Sequence, residues 1–167
     1  MSTSRVEPWL KTTHVKITSD TCNVVKVRAA VMEAARRVGF AETDVSAIAL
    51  AIDEAVCNVI KHGYRGQSGQ PIEVMLEPLR RQGRIGLQVT ICDRAPQVDP
   101  AGITGRDLED VRPGGLGTHI IRTVMDEVEY SHRQPEGMQL RVVKMLDNSR
   151  GSAGQVKRPV QENPADD

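Results

Sequence analysis

A chain of 167 residues is the size of one ordinary domain, long enough to bury an aliphatic core without disulfides or a structural metal. Lys plus Arg and Asp plus Glu both number 22, so no net field draws the chain toward nucleic acid or an acidic membrane, and its partners must be recognised locally. One Phe, one Trp and two Tyr are too few for a platform on which single-stranded bases stack.

Residues 1–11 read as an N-terminal extension, without a basic region followed by an apolar run. The longest apolar stretch, Val45 to Ile52, is far below a membrane span, so the chain is expected to be cytoplasmic. Residues 12–18 alternate His14, Lys16 and Thr18 against Val15 and Ile17, the period of a half-buried, edge-type strand. Ser19 or Asp20 is placed to cap a helix from about Thr21 to Val38, with Val24, Val27, Val31, Ala34, Ala35 and Val38 on one face and Gly39 as its stop. A second helix is expected from Thr43 or Asp44 to His62, with Gly63 as a left-handed cap.

Ile72 to Leu79 and Arg84 to Cys92 form a predicted hairpin. Asp93 to Gly115 has no sustained period and reads as a loop of about twenty residues, a length typical of functional lids or disorder. A third helix follows over Leu116 to Met125, then a second hairpin, Glu127 to His132 with Met138 to Leu146. Residues 148–167 are polar and expected to be disordered. Strands arriving as hairpins predict an α+β two-layer sandwich over residues 12–147: a mixed, mostly antiparallel sheet with helices on one face. Cys22, Cys57 and Cys92 are expected to be reduced core thiols, and with the four His they show no zinc-ligand spacing.

Three places carry candidate chemistry. Asp53 and Glu54 are the only charged residues in the apolar run from Val45 to Ile60, and Glu54 and Asn58, four apart, share a helix face. The amide oxygen suits a hard cation such as Mg²⁺ and the carboxylate suits a general base; by spacing alone the plainer reading is that both side chains reach water or cap a neighbouring loop. Asp93 ends an apolar strand, where its carboxylate could accept from the exocyclic amine of a base or close an Asx turn. Pro113 to Thr118 (PGGLGT) opens a helix whose first amides could hold a phosphate. It matches neither G-x-x-x-x-G-K-S/T nor a dinucleotide fingerprint after a strand.

Taken in order, these features resemble a known family. Glu54 to Tyr64 (EAVCNVIKHGY) looks like the N box of the GHKL, or Bergerat-fold, ATPases, in the E-A-x-x-N-x-x-x-H form typical of anti-sigma-factor serine/threonine kinases. Asp93 to Pro100 (DRAPQVDP) resembles their first glycine box, and Gly114 to Tyr130 (GGLGTHIIRTVMDEVEY) their second box with its helix and strand. The resemblance spans about residues 12–146. It implies ATP–Mg²⁺ bound beneath a lid, Arg94 to Pro113. Glu54 would be the catalytic base, Asn58 the Mg²⁺ ligand and Asp93 the reader of the adenine amino group. Ala95, Arg112, Gly114, Gly115, Leu116, Gly117 and Thr118 would complete the nucleotide site.

The resemblance further implies two partners, an anti-sigma-factor antagonist of the STAS fold as phosphoryl acceptor and a sigma factor, and is compatible with a homodimer through the first strand and helix. An ATP-binding interaction module of the same fold, without kinase turnover, is the second reading. The chain departs from the pattern in three places: Ala95 replaces the glycine of D-x-G, Pro113 replaces a basic residue with Arg112 or Arg106 nearby, and Gly137-Met138-Gln139 stands where a threonine often holds adenine.

Overall fold

The structure, a computed structural model, describes residues 11–103 and 116–147. In chain order these form β1 (Thr13–Thr18), a 3₁₀ turn (Thr21–Asn23), α1 (Val24–Val38), α2 (Glu42–Asn58), a π turn (Val59–Gly63), β2 (Pro71–Arg81) and β3 (Arg84–Cys92). A short 3₁₀ turn (Pro100–Ile103), α3 (Leu116–Val124), β4 (Glu127–His132) and β5 (Met138–Met145) complete them. The strands make one sheet in the order β1-β2-β3-β5-β4, with every pairing antiparallel. The expected α+β sandwich is therefore observed with a wholly antiparallel sheet among the described residues, and β1 is an edge.

Strand pleating sends alternate side chains to opposite faces. Ile17, Ile72, Val74, Leu76, Leu87, Val89, Ile91, Leu140 and Val142 face one way and meet Val27, Val31, Ile48, Ile52 and Val56 from the helices in one core. Each fully buried aliphatic side chain of this kind contributes about 1.5–3 kcal/mol. The other face is polar: Arg141 pairs with Glu127 and Glu129 at 3.1 and 2.7 Å, and Arg81 with Glu127 at 2.7 Å.

Gly39 ends α1 in the left-handed conformation, φ 107°, its amide donating to the carbonyls of Ala35 and Arg36. Neither Ser19 nor Asp20 caps α1 by side chain. Ser19 instead donates its hydroxyl to the Gln67 carbonyl and accepts the Gln70 amide, pinning the loop before β2 to the end of β1. The second helix departs from expectation at its end. After Asn58 it widens into the π turn, and the left-handed residues are Arg65 (φ 52°) and Gly66 (φ 77°), not Gly63.

The cysteines also differ from expectation. Cys22 is exposed on the 3₁₀ turn, and Cys57 and Cys92 are half-buried rather than core; all three are free thiols. Burial raises the Cys57 and Cys92 thiols above the ordinary range. On α2, the buried Asp53 turns toward α1, where Arg28 pairs with it at 2.5 Å.

Candidate functional site

The site has two parts, the end of α2 against the start of α3 and the end of β3 against the β4–β5 turn, joined through the turn that follows α2. Glu54 and Asn58 are both half-buried on α2, and the start of α3 rests against them. Gly117 is buried at the contact. A methyl built on it would lie 2.7 Å from Glu54 Oε2 and 3.4 and 3.5 Å from the Asn58 amide nitrogen and oxygen. With no side chain at residue 117, the helix start approaches the carboxylate and amide without displacing the Glu54 tip. Leu116 beside it is exposed and Thr118 half-buried. Arg106, Arg112, Pro113, Gly114 and Gly115 lie outside the described residues, as does the lid beyond Ile103.

Asp93 is buried at the end of β3. Its Oδ1 accepts two amides, from Ala95 at 2.8 Å and Met138 at 3.0 Å, and its own amide donates to the Met138 carbonyl at 3.1 Å. The bond to Ala95 is the Asx turn that the sequence left open as an alternative to base reading. It engages Oδ1, and no hydrogen bond from a described residue reaches Oδ2. Burial raises the Asp93 carboxyl above its ordinary value, against the lowering effect of the two amides and of Arg133.

The departures at residues 95 and 138 have a geometric account. Ala95 is not among the non-glycine residues of positive φ, so its backbone is one that alanine adopts freely. Its methyl is buried opposite Gly63, where an added Cβ would come within 3.2 Å of it. Residue 138 meets Asp93 through its backbone amide, which Met supplies as well as Thr does.

Gly137 is required twice over. Its φ is 94°, and a Cβ there would fall 2.0 Å from the Asp93 carbonyl oxygen. Gly137→Ala is therefore expected to destabilise the fold by at least the ~1–3 kcal/mol of a strained backbone position. The check is a lowered urea midpoint at unchanged slope.

Three contributors were invisible as such in the sequence: the Met138 amide, Gly63 as the seat of Ala95, and Tyr64. Tyr64 is buried after the π turn; its hydroxyl accepts the Arg94 amide at 2.7 Å and donates to the Pro71 carbonyl. Burial is the main cause of its raised phenol pKa. Tyr64 closes the stretch that resembles the N box, the one available signal. Among the described residues no three His, Cys, Asp or Glu side chains cluster as a metal site.

The sequence profile of the histidine kinase-like ATPase domain matches residues 17–144, and the chain belongs to that family. It is similar to the serine-protein kinase RsbW of Bacillus pumilus, 26% identical over 132 residues that cover 74% of this chain and 79% of that protein. It is 28% identical to the serine-protein kinase RsbW of Listeria monocytogenes over 119 residues, covering 67% of this chain and 73% of the relative. The solved RsbU and RsbW domains of Rv1364c from Mycobacterium tuberculosis superpose with a TM-score of 0.55 at 21% identity, over 80% of this chain and 32% of theirs, a likeness of fold. No helix among the described residues is long and apolar enough to cross a membrane.

Proposed function

We propose that this chain is an anti-sigma factor and ATP-dependent protein serine/threonine kinase of the RsbW kind, acting in the cytoplasm on an anti-sigma-factor antagonist of the STAS fold. The observation that carries the reading is the meeting of Glu54 and Asn58 with Gly117 at the start of α3, the helix preceded by the glycine pair. A hard amide oxygen, a carboxylate and a helix N-terminus there supply a metal ligand, a base and an anion seat.

The residues fit Mg²⁺, which needs only one or two protein oxygens when phosphates supply the rest; Asn58 would hold it. Bound there, the ion would neutralise charge on the transferring phosphoryl group. Glu54 takes the proton of the incoming serine or threonine hydroxyl as its oxygen bonds to the γ-phosphorus of ATP. The bond to the β-phosphate oxygen breaks and ADP leaves. Asp93 Oδ2 accepts the adenine amino group, and the amides at the start of α3 face the phosphates. Positioning does most of the work in such a transfer. In the proposed switch, the unphosphorylated antagonist and a sigma factor compete for the chain.

Calorimetric titration with ATP tests the site. Wild type is expected to bind more tightly with Mg²⁺ present, and Asn58→Ala to lose that Mg²⁺-dependent gain. Equal affinity of both proteins with and without the ion would remove Asn58 from the metal.

A further inference from the structure

We propose that Tyr64 is a positioning residue for base recognition, its hydroxyl and the neighbouring Gly63–Ala95 contact setting the direction in which Asp93 presents Oδ2. The inference rests on the adenine reading of Asp93 given above.

The segment after β3 is held by three successive amides, each with a different partner. Asp93 N–H donates to the Met138 carbonyl, Arg94 N–H to the Tyr64 hydroxyl, and Ala95 N–H to Asp93 Oδ1. The first ties the segment to β5 and the third folds it on itself. The second alone ties it to the turn that ends α2, the helix carrying Glu54 and Asn58. Arg94 is exposed at its side chain, so the amide is what anchors it. Tyr64 serves two backbone groups at once, accepting from Arg94 and donating to Pro71. A phenyl ring of the same shape can do neither.

The hydroxyl bond limits how far the segment can stray from the turn, and the bare Gly63 leaves room for the Ala95 methyl, which would stand 3.2 Å from any Cβ added there. With the segment so tied, Asp93 is seated by Oδ1, which must also meet the amides of Ala95 and Met138. The aim of Oδ2 follows from that seat. A small misplacement matters, since a hydrogen bond weakens steeply with angle.

The test compares affinities for ATP and for ITP, which carries a carbonyl oxygen in place of the 6-amino group, both with Mg²⁺. Wild type is expected to prefer ATP by about 10- to 100-fold, the worth of a hydrogen bond to a charged group. Tyr64→Phe is expected to shrink the preference to about threefold, through weaker ATP binding with ITP affinity nearly kept. Gly63→Ala, pushing on Ala95 from the other side, should shrink it likewise, and Gly63→Ala with Ala95→Gly should restore it.

Retention of the wild-type preference by folded Tyr64→Phe would overturn the proposal, as would equal loss of both nucleotides. Should Tyr64→Phe fail to fold, the Gly63 variants decide by the same ratio: an unchanged preference in Gly63→Ala overturns the proposal. A wild type that binds both nucleotides equally overturns the adenine reading of Asp93, and this inference with it.

Discussion

Glu54→Gln is expected to keep ATP and lose phosphoryl transfer to the antagonist by about 10²- to 10⁴-fold, the range associated with a positioned general base. Glutamine matches glutamate in shape, so the close approach of Gly117 to the Glu54 carboxylate, where a methyl would be 2.7 Å from Oε2, is undisturbed. What it lacks is a basic oxygen for the hydroxyl proton. Transfer of label from γ-labelled ATP to a STAS-fold antagonist, beside calorimetry with ATP, reads both properties. Transfer at the wild-type rate would take Glu54 out of the chemistry. Partner regulation preserved in both proteins without transfer in either would favour the interaction module.

Asp93→Asn is expected to separate stability from binding. The asparagine oxygen can accept the Ala95 and Met138 amides that Oδ1 now accepts at 2.8 and 3.0 Å, but its amino group would point where the adenine amino group must donate. ATP affinity should fall by about 10- to 100-fold, the value of a hydrogen bond to a charged acceptor. The fold should not suffer, because burial opposes the charge.

The sign follows from the raised pKa. As pH rises, the unfolded chain releases the Asp93 proton first, near the ordinary value of about 4, and the folded chain only later. Wild-type stability from this group is therefore greatest below about pH 4 and declines as pH climbs through the raised folded value. The Asp93→Asn protein, with no proton to lose there, has no such decline. Urea unfolding at acid and neutral pH should show the variant gaining on wild type as pH rises. Glu42 and Glu127, lowered by hydrogen bonds from Arg36 and from Arg81 and Arg141, slope the other way in both proteins and cancel in the difference. A variant that falls behind wild type at neutral pH would mean that the Asp93 charge stabilises the fold.

What the sequence disclosed was local. The spacing of Val27, Val31, Ala34 and Val38 announced α1 because one face must be apolar to bury, and Gly39 stopped it as expected. Glu54 and Asn58 were legible as a pair because helical geometry alone puts them together. Asp93 was legible as a strand-end acid in an apolar setting. The π turn was not, since the widening after Asn58 carries no compositional mark and Gly63 looked like a left-handed cap. Its bareness serves Ala95, a contact made across 32 residues of chain that no local window contains. The Met138 amide was hidden for a related reason. Backbone groups do not vary with sequence, and the insertion of β5 between β3 and β4 is a choice of the whole sheet.

That insertion divides the molecule into two stretches of consecutive chain. One runs from β1 to β3 with α1 and α2; the other holds α3, β4 and β5. Strands β3 and β5 sew them together, their last pair being Cys92 with Gln139, and Asp93 meets Met138 just beyond it. Bringing that seam together closes a long stretch of chain, an entropic cost that the short β2–β3 and β4–β5 turns escape. A nucleotide that touches Asp93 on one side and α3 on the other spans the seam, and its binding free energy adds to the grip between the halves by mass action. The resting concentration of ATP in a cell would then govern how often the two halves part.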